Sequence, residues 1–389
     1  MSSLHRHAAI IGVYTTEQAV CLLRSSASLQ LEAVRSALAE AGQPARLLDG
    51  LVPLDPSPWG TVPSGHMYWA EQLGERPQTF LELGSAVGGV AKAAAAVSAG
   101  LCRLVAVFWS RTSDPGGPPA DWTASATDDL ILGSPPVHGG DPLAMRALWT
   151  RRYMHEFKVT SEDLARVAVD QRHKARLKPD SIMGRLGELT VDAVLASGLL
   201  RDPLHVLDCP GENDGGYSIL VASAEIAADS ETTPVWVLGG AEASGPSLYA
   251  AGPDRVPLTD GPVRASADRA FLAAGVGRDE VDVVGVWDDS TATVLNTVEL
   301  MGFCGPGEGA QYCRDGHLSL GGSLPANTDG GMLSNSNCGE SSGLHLIEVV
   351  RQLRDECGAR QVPGARIGAV QAQGYGTHTH AATLVLAAD

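Results

Sequence analysis

The stretch GYGTHTH at residues 374–380 holds the most reactive set of side chains in the chain. Tyr375, flanked by glycines, can enter a cleft and donate a proton, and His378 can accept one or orient the donor. His378 and His380 stand two apart, the spacing that puts both on one face of a strand. Two imidazoles without a third ligand make no metal site, so none is expected. The alternative for this stretch is a closing strand with polar side chains on an exposed edge. A second set, Asn337, Cys338 and Glu340 in SNSNCGE, stands just ahead of a helical segment. A thiol at a helix N-terminus is drawn toward the thiolate, whereas Glu340 two residues on opposes that; the alternative is a buried, inert cysteine. The Asn337 amide can donate to a carbonyl oxygen of a ligand as part of an oxyanion hole, or serve a turn that favours Asn. Asp288 and Asp289 end an apolar run, VVGVW, at the carboxyl edge where α/β proteins build sites. A desolvated carboxylate there can act as a general base, or the pair can cap the helix that follows. Ser85 can donate a hydrogen bond to a ligand or be a packed small residue, and Gly330 and Gly331 permit close backbone approach beside a pocket.

Elements must bring these residues together. Residues 8–14, AAIIGVY, form a short apolar run that predicts a buried strand. Residues 28–41 carry Leu31, Val34 and Leu38 on one helical face, with Gly42 as a stop. Residues 85–100, SAVGGVAKAAAAVSAG, are so rich in small residues that the predicted helix can be enclosed on all sides; Gly88 and Gly89 inside it imply another backbone close by. A strand follows at 102–109. Alternating strand and helix implies parallel pairing through crossover helices. Residues 110–142 read as loop. Helices at 143–157 and 161–176, the second opening with a capping-box-like Ser161-Glu162-Asp163, read as an insertion in the first half. The second half repeats the plan: a helix at 264–275, a strand at 282–287, a long amphipathic helix at 341–357 and closing strands at 365–372 and 380–387. The expected division is 1–235, with a helical insertion at about 115–205, and 236–389.

At 389 residues, 44% of them hydrophobic, the chain can build two such cores. Its net charge of −17 argues against nucleic acid and anionic membrane surfaces as partners. An anionic ligand needs a local basic spot, for which Arg151-Arg152 and the stretch 172–178 are the candidates, with Arg152 singled out for phosphates. Seven cysteines without regular spacing predict reduced thiols. The N-terminus lacks the apolar core of a signal peptide, and no run of about 18 apolar residues predicts a membrane span, so the expectation is a soluble, cytoplasmic protein.

Five stretches together resemble sterol-carrier-type thiolases, the lipid-transfer-protein branch of the thiolase superfamily. They are LELGSAVGGVAKAAA (81–95), the helical region 153–178, CPGENDGGYSILVA (209–222), DVVGVWDDSTATVLNTVELMGFCGPGEG (282–309) and NTDGGMLSNSNCGESSGLHLIEVVRQLR (327–354). The resemblance implies a duplicated α-β-α-β-α layered fold with a helical loop insertion in the first half. It also implies an acyl-CoA or similar thioester as substrate with no cofactor of the protein's own. A homodimer through the central strands of the first half is implied too, as is a small OB-fold, zinc-ribbon partner. The departures matter as much. Where the family has its cysteine nucleophile this chain has Ser85, whose hydroxyl cannot be tuned as a thiol of pKa about 8.5 can. The histidine of the family's H-P-x-G turn aligns with Asn337. The related steroid side-chain retro-aldolases use tyrosines at two places that here are Trp287 and Asn337. The expected function is therefore making or breaking a carbon–carbon bond beside a thioester carbonyl without the cysteine, with Tyr375 and His378 as the proton-handling pair. The alternative is a non-catalytic subunit that binds a partner or ligand.

Overall fold

The computed structural model describes residues 6–54, 69, 71–73, 78–79, 85–112, 142–245, 256–374 and 380–388. Its strands are β1 (Ala8–Thr15), β2 (Gly50–Pro53), β3 (Gln78–Thr79), β4 (Leu104–Arg111), β5 (Leu199–Arg201), β6 (Leu204–His205), β7 (Gly215–Ser223), β8 (Val235–Ser244), β9 (Val283–Gly285), β10 (Ile367–Gly374) and β11 (His380–Ala387). The principal helices are α1 (Ser26–Glu40), α2 (Ala86–Ser98), α3 (Pro142–Phe157), α4 (Ser161–Arg176), α5 (Pro262–Ala274), α6 (Thr291–Met301), α7 (Gly331–Ser334) and α8 (Ser342–Leu353).

The sheet order β3-β2-β4-β7-β1-β8-β11-β10-β9 is a mirror about the β1–β8 seam. On one side β1 pairs antiparallel with β7, β7 antiparallel with β4, and β4 parallel with β2. On the other, β8 pairs antiparallel with β11, β11 antiparallel with β10, and β10 parallel with β9. Even the outermost positions correspond, because β2 pairs in parallel with β3 and Val284 of β9 bridges in parallel to Ala326. The seam itself is narrow: Ala9 faces Trp236 and Ile10 faces Val235. The duplicated layered fold of the expectation is thus present as two copies of one strand plan.

Side-chain alternation along the strands sorts residues into layers. In β1, Ala8 and Ile10 point inward and join α2, α8 and the facing strands of both halves in one core. Ala9 and Ile11 point the other way, against Val34, Ala37 and Leu38 of α1. In the second half α5 covers the outer face through Ala267, Ala270 and Phe271. The layers run helix, sheet, paired central helices, sheet, helix.

α2 is buried along Ala86, Val87, Gly88, Gly89, Val90, Ala93, Ala94, Ala96 and Val97. Lys92, Ala95 and Ser98 are exposed, so the helix is covered on three sides and open on the fourth. The glycines do what close packing demands: a Cβ on Gly89 would come within 3.1 Å of Val107 and 3.0 Å of Leu54. The insertion lies between β4 and its neighbour β7 and contributes α3, α4 and the β5–β6 hairpin. The capping box of α4 is built by Thr160 and Asp163, one residue earlier than the predicted Ser161. Lys174 fastens this helix to the second half: it pairs with Asp170 and donates to the carbonyls of Leu318 (2.7 Å) and Ala326 (2.8 Å). All seven cysteines are free. Among the described residues no helix is long and apolar enough to cross a membrane, and no cluster of potential ligands could hold a metal.

Candidate active site

The N-termini of α2 and α8 meet at the centre of the molecule, and the segment 327–342 threads between them and β9. Ser85 is buried with extended backbone (φ −141°, ψ 153°), and its hydroxyl accepts from the Gly88 N–H at 3.1 Å. It is the N-cap of α2. The next N–H, that of Ala86, is aimed at Ser342 Oγ (3.1 Å) and also at the carboxylate of Glu340. Ser342 Oγ donates to Glu340 Oε1 (2.5 Å), and the Tyr217 hydroxyl donates to the same carboxylate from β7. Burial pushes the Glu340 carboxyl above the ordinary glutamate value, against these hydrogen bonds, which hold it down. The positive end of α2, where a nucleophile would gain from the helix dipole, is therefore covered by the chain's own acid.

Cys338 is fully buried in this region. Burial first and then the Glu340 charge push its thiol up to about 12. The route to a thiolate that a helix N-terminus offers is thus closed, and Cys338 belongs to the apolar core that contains Leu344 and Leu346. Its carbonyl accepts from Trp109 Nε1 at 2.7 Å, which fixes the turn. Asn337 is held differently. Its backbone N–H donates to Asn213 Oδ1 (2.6 Å) and its carbonyl accepts from the Asn213 N–H (3.0 Å). Its side-chain Oδ1 accepts from Gly339 N–H (3.3 Å) and Ser341 Oγ (3.1 Å). That assigns the other amide atom, Nδ2, as a donor without a partner among the described residues.

Asp288 and Asp289 leave the end of β9 in opposite senses. Asp288 is fully buried and accepts from the N–H groups of Met332 (3.1 Å) and Leu333 (3.2 Å) at the start of α7. Burial pushes it up to about 8 even so. His345 Nε2 approaches Asp288 Oδ1 at 2.9 Å, and burial lowers His345 to about 4. At neutral pH both are uncharged. Asp289 is buried and engaged by Arg146 (2.8 Å) and by the Thr293 hydroxyl (2.7 Å). The cap of α6 is neither aspartate but Ser290, which accepts from Thr293 N–H. Gly331, at φ +59°, makes room for Asp288, whose Oδ2 would sit 2.2 Å from a Cβ there. Gly330, at φ +98°, lies against Ala175 and the Gln171 carbonyl of α4. Behind them Asp329 is pushed up to about 6 by burial and then by Glu348, a carboxylate that Arg360 and Thr328 hold.

Arg152 is engaged with Glu156 (2.7 Å) and the Val256 carbonyl (2.9 Å), so it is not an idle cation waiting for phosphate. Tyr375 and His378 lie outside the described residues; the strand that follows them starts with His380, next to Ser244 Oγ (3.0 Å). The structure brings Asn337 and Cys338 together at Ser341, sets the Ala86 N–H next to Ser85 against Ser342 and Glu340, and joins Asp288 to the start of α7 beside Gly331. Sequence reasoning passed over Tyr217 and His345. Each is a polar residue on the buried face of an otherwise apolar element, a signal that was available in GGYSILVA and SSGLHLIEVV.

The chain is similar to several known proteins. Residues 251–388 match the family model described as thiolase C-terminal domain-like. The chain is 32% identical to a steroid side-chain-cleaving aldolase of Thermomonospora curvata, with 100% of both chains covered. It is 30% identical to a 17-hydroxy-3-oxo-4-pregnene-20-carboxyl-CoA lyase of Mycobacterium tuberculosis, covering 90% of this chain and 92% of that one. Among solved structures it resembles that of an Ltp2-ChsH2(DUF35) aldolase, with a TM-score of 0.87 and 29% identity over 99% of each chain.

Proposed function

The chain belongs to the thiolase superfamily, in its sterol-carrier-type branch, and from that premise we propose that it is a carbon–carbon lyase acting on a β-hydroxyacyl-CoA by a retro-aldol reaction. The observation that carries this reading is the covered end of α2. Ser85 caps the helix and Glu340 lies on the Ala86 N–H, so a covalent acyl-enzyme has neither a nucleophile nor an open oxyanion site there. Retro-aldol cleavage needs no nucleophile. A base takes the proton of the β-hydroxyl, the Cα–Cβ bond breaks, and its electron pair moves into the thioester as an enolate. A proton returned to Cα then releases the shortened acyl-CoA, and Cβ leaves as a ketone or aldehyde. The protein has to supply a donor for the enolate oxygen and a group that moves protons.

The Asn337 amide suits the first task, since its Oδ1 is fixed and its Nδ2 is available. Tyr375 and His378 are the proposed proton carriers. Asp289, tied to Arg146 and Thr293, is better suited to orienting the loop than to abstracting a proton. The relatives' names support a steroid-type side chain as substrate, and the resemblance to the Ltp2-ChsH2(DUF35) aldolase supports a DUF35-type partner subunit. A homodimer is part of the same proposal.

The test is incubation with a β-hydroxyacyl-CoA bearing a branched side chain, with and without such a partner, and detection of both products by mass spectrometry. Asn337→Ala and Tyr375→Phe should each lower turnover by about 10²-fold while ligand binding persists. Ser85→Ala should leave turnover near the parent rate. An acyl group trapped on Ser85 would contradict the mechanism, and absence of cleavage under both conditions would favour a non-catalytic subunit.

A further inference from the structure

Arg172 stands on α4 in a position that ordinary folding physics does not explain. It is 4% exposed. Among the described residues its guanidinium makes neither a hydrogen bond nor an ion pair, and Nε is sealed from solvent with no acceptor. Its neighbours are treated otherwise. Two residues on, Lys174 meets Asp170 and two carbonyls; Arg176 meets Glu188; buried Arg360 is held by Glu348 at 3.0 Å and Arg354 by the Thr233 carbonyl at 2.8 Å. Burial alone depresses Arg172 below the usual arginine value, with no acid acting in the opposite direction. An uncompensated buried cation is strongly disfavoured, so one without a partner among the described residues is suited to a counter-charge brought by a ligand.

The position of α4 says where that charge would lie. The helix packs against α7 and against the turn Val206–Asp208. Its Gln171 carbonyl and Ala175 press on Gly330, two residues before the first of the α7 N–H groups that hold Asp288. The helix that carries Arg172 thus forms part of the wall between the helical insertion and the candidate active site. We propose that Arg172 is the anchor of an oxyanion-binding site, in which a carboxylate or phosphate group of the ligand supplies the missing counter-ion. The planar guanidinium fork fits either group with two parallel hydrogen bonds. This deepens the reading of an acyl-CoA substrate, and it names the charge that the net −17 of the chain would otherwise repel. It also moves the anion from the predicted Arg152 to a residue with no other engagement.

The test compares melting temperatures of the parent and Arg172→Met in chloride buffer, then with CoA, inorganic pyrophosphate or succinate at matched ionic strength. Methionine keeps much of the side chain's length and removes the charge. The variant should melt at or above the parent without ligand, because an unpaired buried charge has gone. The parent should gain melting temperature with at least one oxyanion in a concentration-dependent way, and the variant should not. A response to pyrophosphate and CoA identifies the phosphate end of the ligand; a response to succinate alone identifies an acyl carboxylate. The proposal is overturned if the ligand-free variant melts below the parent, if no oxyanion stabilises the parent, or if the variant responds equally. Cleavage is read by its products, so a parent that responds to oxyanions yet cleaves nothing would remove the lyase reading and leave this one standing.

Discussion

At the scale of single residues, the centre of the protein is governed by which acids are denied their charge. Asp288 is held near 8 by burial, whereas His345 beside it is held near 4. Between about pH 4 and 8 the folded chain keeps a proton on Asp288 that the unfolded chain releases, so this group makes stability fall as pH rises through that window. His345 acts oppositely: from about 4 to 6.5 the unfolded chain binds a proton the folded chain refuses, and stability rises with pH. The two effects offset each other below 6.5 and leave Asp288 alone above it. Thermal melts from about pH 6.5 to 8 should therefore show a decline in the parent that Asp288→Asn removes, since the amide cannot titrate. A flat parent profile would mean that Asp288 is already ionised. Nothing in the run VVGVWDDS announces this difference between adjacent aspartates. The first is closed in by α7 and α8 and the second is met by Arg146 from α3, and both facts belong to the packing of distant segments.

At the scale of elements, the helix starts carry the function. Gly343 opens α8, and a Cβ there would fall 2.1 Å from the Tyr217 ring. A flexible side chain could yield, but a ring packed in a strand and bonded to Glu340 cannot easily do so. Gly343→Ala should cost about 1–3 kcal/mol of stability, as overpacking usually does, and loosen Glu340 from the end of α2. Denaturant melts measure the first effect, and alkylation of a Ser85→Cys probe, slow in the parent background and faster with Gly343→Ala, measures the second. A Gly343→Ala protein as stable as the parent would show that the contact is easily relieved. Much at this scale is legible in the sequence. The strand at 8–14, the helix at 161–176 and the strand at 380–387 are visible because their apolar residues recur with one clear period. The cap of α4 lies one residue from its predicted place because Thr160 and Ser161 are equally able to cap. The site is less legible. Asn337 can be picked out as a polar residue in a turn, but the freedom of Nδ2 depends on Gly339 and Ser341 occupying Oδ1. Arg172 differs from Arg166 and His173 on the same helix by being buried, and from Lys174 and Arg176 by having no partner among the described residues, a combination no local pattern records.

At the scale of the whole molecule, the sheet limits how copies of the chain can associate. The central strands of the first half, β4, β7 and β1, are each hydrogen-bonded on both sides, so a dimer through them, as the family resemblance suggested, would not be built by extending the sheet along their backbones. Among the described residues the backbone of β3, at the end of the sheet, is paired on one side, and edges of this kind are commonly covered. Sedimentation across a dilution series should give twice the chain mass, and a monomer at every concentration would rule out the dimer. The mirrored sheet has another implication, for the order in which the protein can be made. β1 leaves the ribosome well before either of its partners, which are β7, through Ala8 opposite Ser223, and β8, through Ile10 opposite Val235. About 200 residues must be synthesised after AAIIGVY before its backbone can pair, although α1 is available early to cover Ala9 and Ile11. Such long-range closure is slow by nature and leaves an apolar strand exposed while it waits. The same seam that unites the two halves therefore leaves β1 on the nascent chain with a long need of protection.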